Sequence, residues 1–261
     1  MQFGMPSLLE LGDLKSQLSL CKQLDLDIIE LNMNLPQFTT SQLIMDEFID
    51  FVYDMEKMLG IHLPETIDIA EFNPEIRQSA LQLIRTVATH YDHDKVRHMT
   101  MHLNPGTYFK MPEGKVYLYD KHKDQYLKHF KNAMTALQDV FEYSEIQLLI
   151  ENTGNFHMPF IQEALEIALA YPFVGLVWDV GHEAKSIDDK TFIDRYADRI
   201  QLIHLHDCAE GVDHLPLYCG ELPISEILHF AKKRKIPVVV EVKTKDGLES
   251  SIDSLRKKGH L

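Results

Sequence analysis

Cysteine is scarce in this 261-residue chain: Cys21, Cys208 and Cys219 are too few and too scattered for a disulfide framework or a zinc knuckle. Basic residues are scarce too, with 26 Lys plus Arg against 40 Asp plus Glu and a formal net charge of -14. A chain this acidic is poorly suited to holding a polyanion by charge neutralisation and fits an enzyme of small molecules better. No apolar run approaches the roughly 18 residues of a membrane helix. Met1 to Pro6 lacks the basic start and apolar core of a signal peptide. These absences set the expectation of a cytoplasmic protein under reducing conditions. No low-complexity tract or Pro-, Gly- or Ser-rich linker interrupts the chain, and 45% hydrophobic residues supply a large core, so one folded domain over 1–261 is expected.

What is present is alternation. Short runs at Gln2 to Met5, Ile28 to Asn32, Ile61 to Leu63, Val96 to Leu103, Ile146 to Asn152, Phe173 to Val180, Ile200 to His206 and Pro237 to Val242 read as strands. Helical patterns fill the intervals: about Asp13 to Leu24, Ser41 to Leu59, Pro74 to His90, Lys121 to Phe141, Pro159 to Ala170, Asp188 to Tyr196, Ser225 to Lys233 and Leu248 to Lys257. In the second of these, Ile44, Phe48, Phe51, Met55 and Leu59 share one face. Pro74 suits the first turn of the third. Eight strand–helix rounds in this length predict an α/β fold, a single-domain (β/α)8 TIM barrel. An open doubly wound sheet competes, but no Gly-rich phosphate turn follows the first strand.

In such a barrel the active site lies at the C-terminal ends of the strands. There the third strand carries His62, the fourth His102, the fifth Glu151, and the sixth Asp179 with His182 just beyond. The seventh carries His204 and His206, with Asp213 and His214 in its loop, and the eighth carries Glu241. Alternation puts Glu151 in phase with Leu149, Asp179 with Val177, His206 with His204, and Glu241 with Val239, so each polar group continues an inward column to the mouth. A ring of this kind is costly to bury unpaired. A divalent cation removes that cost and uses the same groups as ligands; mixed Asp, Glu and His ligation suits Zn, Mn, Fe or Co, and Mg less well. Taken singly, each acid reads as a helix cap or a solvated loop residue, and the coincidence on six strands carries the reading. His90, His93, His98, His122, His129, His157, His229 and His260 fall on helices, loops or mid-strand positions and read as ordinary residues.

Ile150-Glu151-Asn152, Trp178-Asp179-Val180-Gly181-His182, His204-Leu205-His206-Asp207 and Glu241 resemble the xylose isomerase-like barrel superfamily, which contains sugar isomerases, ketose epimerases and endonuclease-IV type apurinic/apyrimidinic endonucleases. His62-Leu63-Pro64-Glu65 and His102-Leu103-Asn104-Pro105-Gly106 match its early strands, so the likeness spans nearly the whole chain. In the epimerase branch the resemblance implies one divalent metal held by Glu151, Asp179, His206 and Glu241, with the glutamates doubling as acid and base and His182 contacting substrate. His204 shares a face with His206 and is the alternative ligand. The endonuclease branch implies three zinc ions, drawing on His62, His102, Glu151, Asp179, His182, His204, His214 and Glu241. That branch separates an aspartate and a histidine by one residue in the seventh loop, whereas Asp213 and His214 are adjacent. The run Tyr218 to Leu222 has lost part of the family's glycine-rich pattern, and no Lys or Arg lies between Asp207 and Pro223.

Two connections exceed the usual two to six residues of a barrel loop. Asn104 to Asp120 contains Tyr108, Phe109, Lys110, Met111, Lys115, Tyr117 and Tyr119; the other runs from Asp207 to Pro223. Each is a candidate lid over substrate, or packs on the rim or a neighbouring subunit. Lys243, two residues past Glu241 on the same face, is a candidate phosphate or carbonyl contact, or a structural partner for the acidic ring. The expected function is a divalent-metal-dependent isomerase or epimerase of a sugar or sugar derivative working through an enediolate. It needs no organic cofactor, and its partner is a small molecule rather than nucleic acid or membrane; a homo-oligomer is compatible with the sequence. The alternatives are an endonuclease-IV-like zinc phosphodiesterase acting on abasic DNA, or a polyol or keto-acid dehydratase on the same metal site.

Overall fold

Apolar β-branched runs separated by helices give a sheet that must bury both faces, and here it does so by closing on itself. The computed structural model describes residues 1–184, 191 and 193–261. Its strands in chain order are β1 (Phe3–Pro6), β2 (Ile28–Asn32), β3 (Met58–His62), β4 (Val96–His102), β5 (Tyr108–Met111), β6 (Gly114–Tyr117), β7 (Gln147–Glu151), β8 (Val174–Asp179), β9 (Ile200–Leu205), β10 (Asp207–Ala209), β11 (Val212–Leu215) and β12 (Val238–Val240). Eight of these form a closed barrel in the order β1-β12-β9-β8-β7-β4-β3-β2. Every barrel pair is parallel, β1 pairing with both β2 and β12. The other four make two antiparallel hairpins, β5–β6 and β10–β11. This is the (β/α)8 TIM barrel that the alternation predicts.

The two faces of the sheet have separate cores. Leu149, Val177, Leu202 and Val239 form a small cluster inside the barrel. Their neighbours Leu148, Leu176, Ile203 and Val238 belong to the large cluster shared with the surrounding helices. Two residues further along each inward column stand Glu151, Asp179, His204 and Glu241, as alternation requires. The opposite half of the interior is polar, holding Glu30, His98 and Thr100 in place of aliphatics. Gly60 makes this possible, because a Cβ there would meet the His98 ring at 2.3 Å.

Helix starts follow capping chemistry. Asp13 accepts from the Ser16 amide before Leu14–Gln23, Asn73 accepts from the Glu75 amide before Pro74–Ala88, and Thr244 accepts from the Gly247 amide before Lys245–Lys257. The helix expected over Ser41 to Leu59 is instead two, Thr40–Leu43 and Asp46–Asp54, because the chain is extended at Met45 and Met55. Asp46 and Glu47 stand in the first turn of the second helix, where the dipole favours acids. Leu59 belongs to β3 and is fully buried, so β3 begins at Met58 rather than at Ile61. Both long connections contain hairpins, β5–β6 and β10–β11, and the fourth helix runs Lys123–Ser144. Of the helix expected over Asp188 to Tyr196, residues 188–190 and 192 lie outside the described residues, and 193–195 are helical as expected. No helix among the described residues is long and apolar enough to cross a membrane.

Candidate metal centre

The barrel brings its strand ends together in register. Glu151 ends β7, Asp179 ends β8 opposite His204 of β9, His204 stands opposite Val239 of β12, and Glu241 directly follows β12. One ligand atom from each of Glu151, Asp179, His204 and Glu241 lies within 4.8 Å of the others. Asp179 and His204 are fully buried and Glu151 nearly so, while the Glu241 side chain keeps 12% exposure toward the mouth.

His204 is ringed by acids. Its Nδ1 lies 3.1 Å from Glu241 Oε2 and 3.4 Å from Glu151 Oε1, and its Nε2 lies 2.8 Å from Glu30 Oε2. These are ion-pair contacts off the hydrogen-bond direction: among the described residues neither ring nitrogen, nor Glu241 Oε2, has a hydrogen-bond partner. Burial opposes a charge on His204, but Glu30, Glu151 and Glu241 together outweigh it and hold the imidazole well above its usual range. Burial likewise opposes charge on Glu151 and Glu241, yet His204 and their other partners hold both below the usual carboxylate range.

A second group shares Glu151. His62 Nε2 and His102 Nε2 both donate to Glu151 Oε2, at 3.2 and 3.0 Å, and the three offer ligand atoms within 4.8 Å of one another. His62 Nδ1 also donates, to the Leu63 carbonyl at 2.9 Å. Burial works against the His62 charge, but the Glu151 hydrogen bond and the surrounding acids raise the ring to about 9.

The remaining expected residues form a rim. His206 Nε2 sits 3.2 Å from both oxygens of Asp179, while its Nδ1 accepts the His214 amide at 3.0 Å. It therefore touches one member of the converging four from outside and is not one of them. The His214 ring lies 4.3 Å from that of His206 and donates through Nδ1 to the Glu241 carbonyl at 3.0 Å. His182 donates through Nδ1 to the Asn152 carbonyl at 3.0 Å, and its amide donates to Asp179 Oδ1 at 2.7 Å. Lys243 Nζ donates to Glu241 Oε1 at 2.6 Å, which helps keep that carboxylate ionised. A cavity of about 310 Å³ opens beside Glu241, bounded by Ser7, Asn32, Leu35, His62 and Lys243.

Sequence reading misses three supports of this site. Asn152 copies a backbone pairing between β7 and β8: its amide nitrogen donates to the Asp179 carbonyl at 2.9 Å and its oxygen accepts the Asp179 amide at 2.8 Å. Asp207 accepts amides from Cys208, Gly220 and Leu222, pinning the β9–β12 connection. Glu30, with His98 and Thr100, lies inside the barrel under His204. An acid inside the apolar run Ile28-Ile29-Glu30-Leu31 is the signal that marks it.

The donor set fits a divalent ion. Three carboxylates and one imidazole converge, and the atoms left without hydrogen bonds, His204 Nδ1 and Glu241 Oε2, are among those that face one another. The sequence matches the profile of the xylose isomerase-like TIM barrel over residues 18–258, and the chain belongs to that family. No curated protein matches it in sequence. Among solved structures, a D-tagatose 3-epimerase-like protein is similar at TM-score 0.73 and 19% identity, covering 99% of this chain and 96% of its own. The 3-keto-D-glucoside 4-epimerase YcjR from E. coli is similar at TM-score 0.73 and 14% identity, covering 100% of both chains. The IOLI protein, solved with a bound zinc atom, is similar at TM-score 0.70 and 16% identity, covering 99% of this chain and 96% of its own. At these identities the likeness is one of fold.

Proposed function

We propose that this chain, working as one barrel domain over 1–261, is a divalent-metal-dependent isomerase or epimerase of a sugar or sugar derivative. The observation that carries the reading is the convergence of Glu151, Asp179, His204 and Glu241, with ligand atoms within 4.8 Å. These four would hold the ion, so His204 rather than His206 serves as the ligand from the seventh barrel strand, and His206 buttresses Asp179. Zn, Mn, Fe or Co suit the mixed donors better than Mg. When bound, such an ion supplies Lewis-acid polarisation of a substrate carbonyl and its neighbouring hydroxyl.

The protein's own groups then move the proton. Glu151 and Glu241 flank one point, approaching His204 Nδ1 at 3.4 and 3.1 Å, and both are held ionised. One, as the carboxylate, removes the proton from the carbon beside the carbonyl, giving an enediolate; the other, once it has taken a proton from solvent water, delivers it to the opposite face, and the first gives its proton up to solvent. His182 keeps Nδ1 on the Asn152 carbonyl and leaves Nε2 to orient a substrate oxygen. The adjoining cavity of about 310 Å³ suits a single sugar unit, with Lys243 at its edge. Metal analysis of the purified chain, followed by a panel of ketoses, inososes and hydroxy-keto acids, tests this. About one metal per chain with interconversion of a ketose pair supports it, and loss of water from an inosose or polyol would move the assignment to a dehydratase.

The His62, His102 and Glu151 group favours one other reading, a zinc phosphodiesterase with two or three ions. About three metals per chain and nicking of abasic duplex DNA would establish it. The net charge of -14 and the lack of Lys or Arg between Asp207 and Pro223 weigh against it.

A further inference from the structure

Beneath the converging carboxylates lies one charged group that the isomerase reading leaves without a role. Glu30, in the middle of β2, is 2% exposed, and its Oε1 accepts hydrogen bonds from His98 Nε2 at 3.0 Å and Thr100 Oγ1 at 2.7 Å. Its Oε2 is thereby set 2.8 Å from His204 Nε2. An aliphatic residue would fill this volume at no electrostatic cost, as Leu149, Val177, Leu202 and Val239 do across the interior. The barrel instead gives up a side chain at Gly60 so that His98 can enter and hold the carboxylate.

Only an imidazole nitrogen with a free lone pair can ligate a metal, and the other nitrogen then carries the proton. Carboxylates lie at both nitrogens, Glu151 and Glu241 at Nδ1 and Glu30 at Nε2; a cation shared with the first two takes the Nδ1 side, and the proton then stays on Nε2, where the Glu30 charge 2.8 Å away favours it. We infer that Glu30 is a positioning residue of the candidate metal centre, fixing the ring orientation and the Nε2–H tautomer of His204, with His98 and Thr100 holding Glu30 in turn. The inference rests on the reading of His204 as a ligand. Outer partners of this kind raise ligand basicity and commonly account for 10- to 100-fold in metal affinity.

The test measures the Zn(II) dissociation constant of the full chain by competition with a chromophoric chelator, alongside the melting temperature of the metal-free protein. Glu30→Gln keeps the shape and removes the charge; it is expected to weaken zinc binding by roughly 10- to 100-fold. Thr100→Val removes one restraint on Glu30 and is expected to weaken it by roughly 5-fold, the worth of one ordinary hydrogen bond. In the zinc-loaded protein, the imidazole nitrogen spectrum should show His204 protonated at Nε2. A purely structural role would lower the melting temperature and leave the zinc constant unchanged, which overturns the inference. Should Glu30→Gln fail to fold, Thr100→Val and His98→Gln decide: wild-type affinity in both overturns it. His204→Asn tests the ligand itself: wild-type zinc affinity in that variant sinks ligation through His204 and the positioning role of Glu30 with it.

Discussion

Glu151 receives two imidazoles on one oxygen and faces a third with the other, so its charge is shared before any substrate arrives. A carboxylate so placed is a ligand first and a base second, and Glu241, with an oxygen left without a hydrogen bond and a lysine on the other, is its counterpart at the same His204 nitrogen. Glu151→Gln and Glu241→Gln are each expected to cut turnover by about 10²- to 10⁴-fold while circular dichroism stays native. Turnover within a few-fold of wild type in either variant would sink the two-carboxylate proton transfer. The three thiols should differ sharply in reactivity. Cys21 is fully buried, its Sγ donating to the Leu26 carbonyl at 3.3 Å, and burial pushes the thiol up to about 12. Cys219 is exposed and Cys208 half-buried. Titration with Ellman's reagent should therefore modify Cys219 first and Cys208 more slowly, leaving Cys21 untouched until denaturant is added.

Elements are placed by a few polar side chains that act as backbone. Asp207 ties three amides from two ends of the β9–β12 connection onto one carboxylate, and Gly220 is needed there because a Cβ would strike the Cys208 carbonyl at 2.4 Å. Asp207→Ala is expected to cost about 2–3 kcal/mol of stability, since several partly buried amides lose their acceptor together. Hydrogen exchange at Gly220 and Leu222 should accelerate while the barrel strands stay protected, and an unchanged pattern would refute the pinning role. Sequence periodicity marks some of these elements and is silent on others. The inward columns ending in Glu151, Asp179 and Glu241 are legible because a two-residue repeat links each acid to an aliphatic that must face inside. The break of Ser41 to Leu59 into two helices and a strand is not legible, because Met45 and Met55 turn extended without Gly or Pro to mark them. Glu30 is not legible because it lies mid-barrel rather than at a strand end, and His98 because it opposes a glycine on the neighbouring strand.

For the whole molecule, the acidity concentrated at the mouth couples folding to protons and to metal in opposite senses. In the metal-free chain the acids Glu30, Glu151 and Glu241 hold His204 protonated well above its usual range, and Glu151 with Glu30 raises His62 from 6.5 to about 9. A histidine whose folded pKa exceeds its unfolded one contributes stability that is fully present below about pH 6.5. That contribution is lost as the pH rises through the folded value, near 9 for His62. Depressed carboxylates give the reverse, present above about 4.5 and lost toward acid. The metal-free protein should therefore melt highest near pH 5–6.5, as an order-of-magnitude window from those reference values, and progressively lower toward pH 9. A divalent ion competes with the proton on His204 Nδ1, so its affinity should rise over the same range. Zinc at roughly 100 times its dissociation constant stabilises by about 2.7 kcal/mol, which for a chain of this size is a rise of roughly 5–10 °C. At one fixed zinc concentration the rise should be larger at pH 8 than at pH 6. Differential scanning fluorimetry with and without zinc checks both curves: a metal-free melting temperature that stays flat from pH 6 to 9 overturns the histidine–carboxylate pairing, and a zinc increment that shrinks with pH overturns ligation through His204.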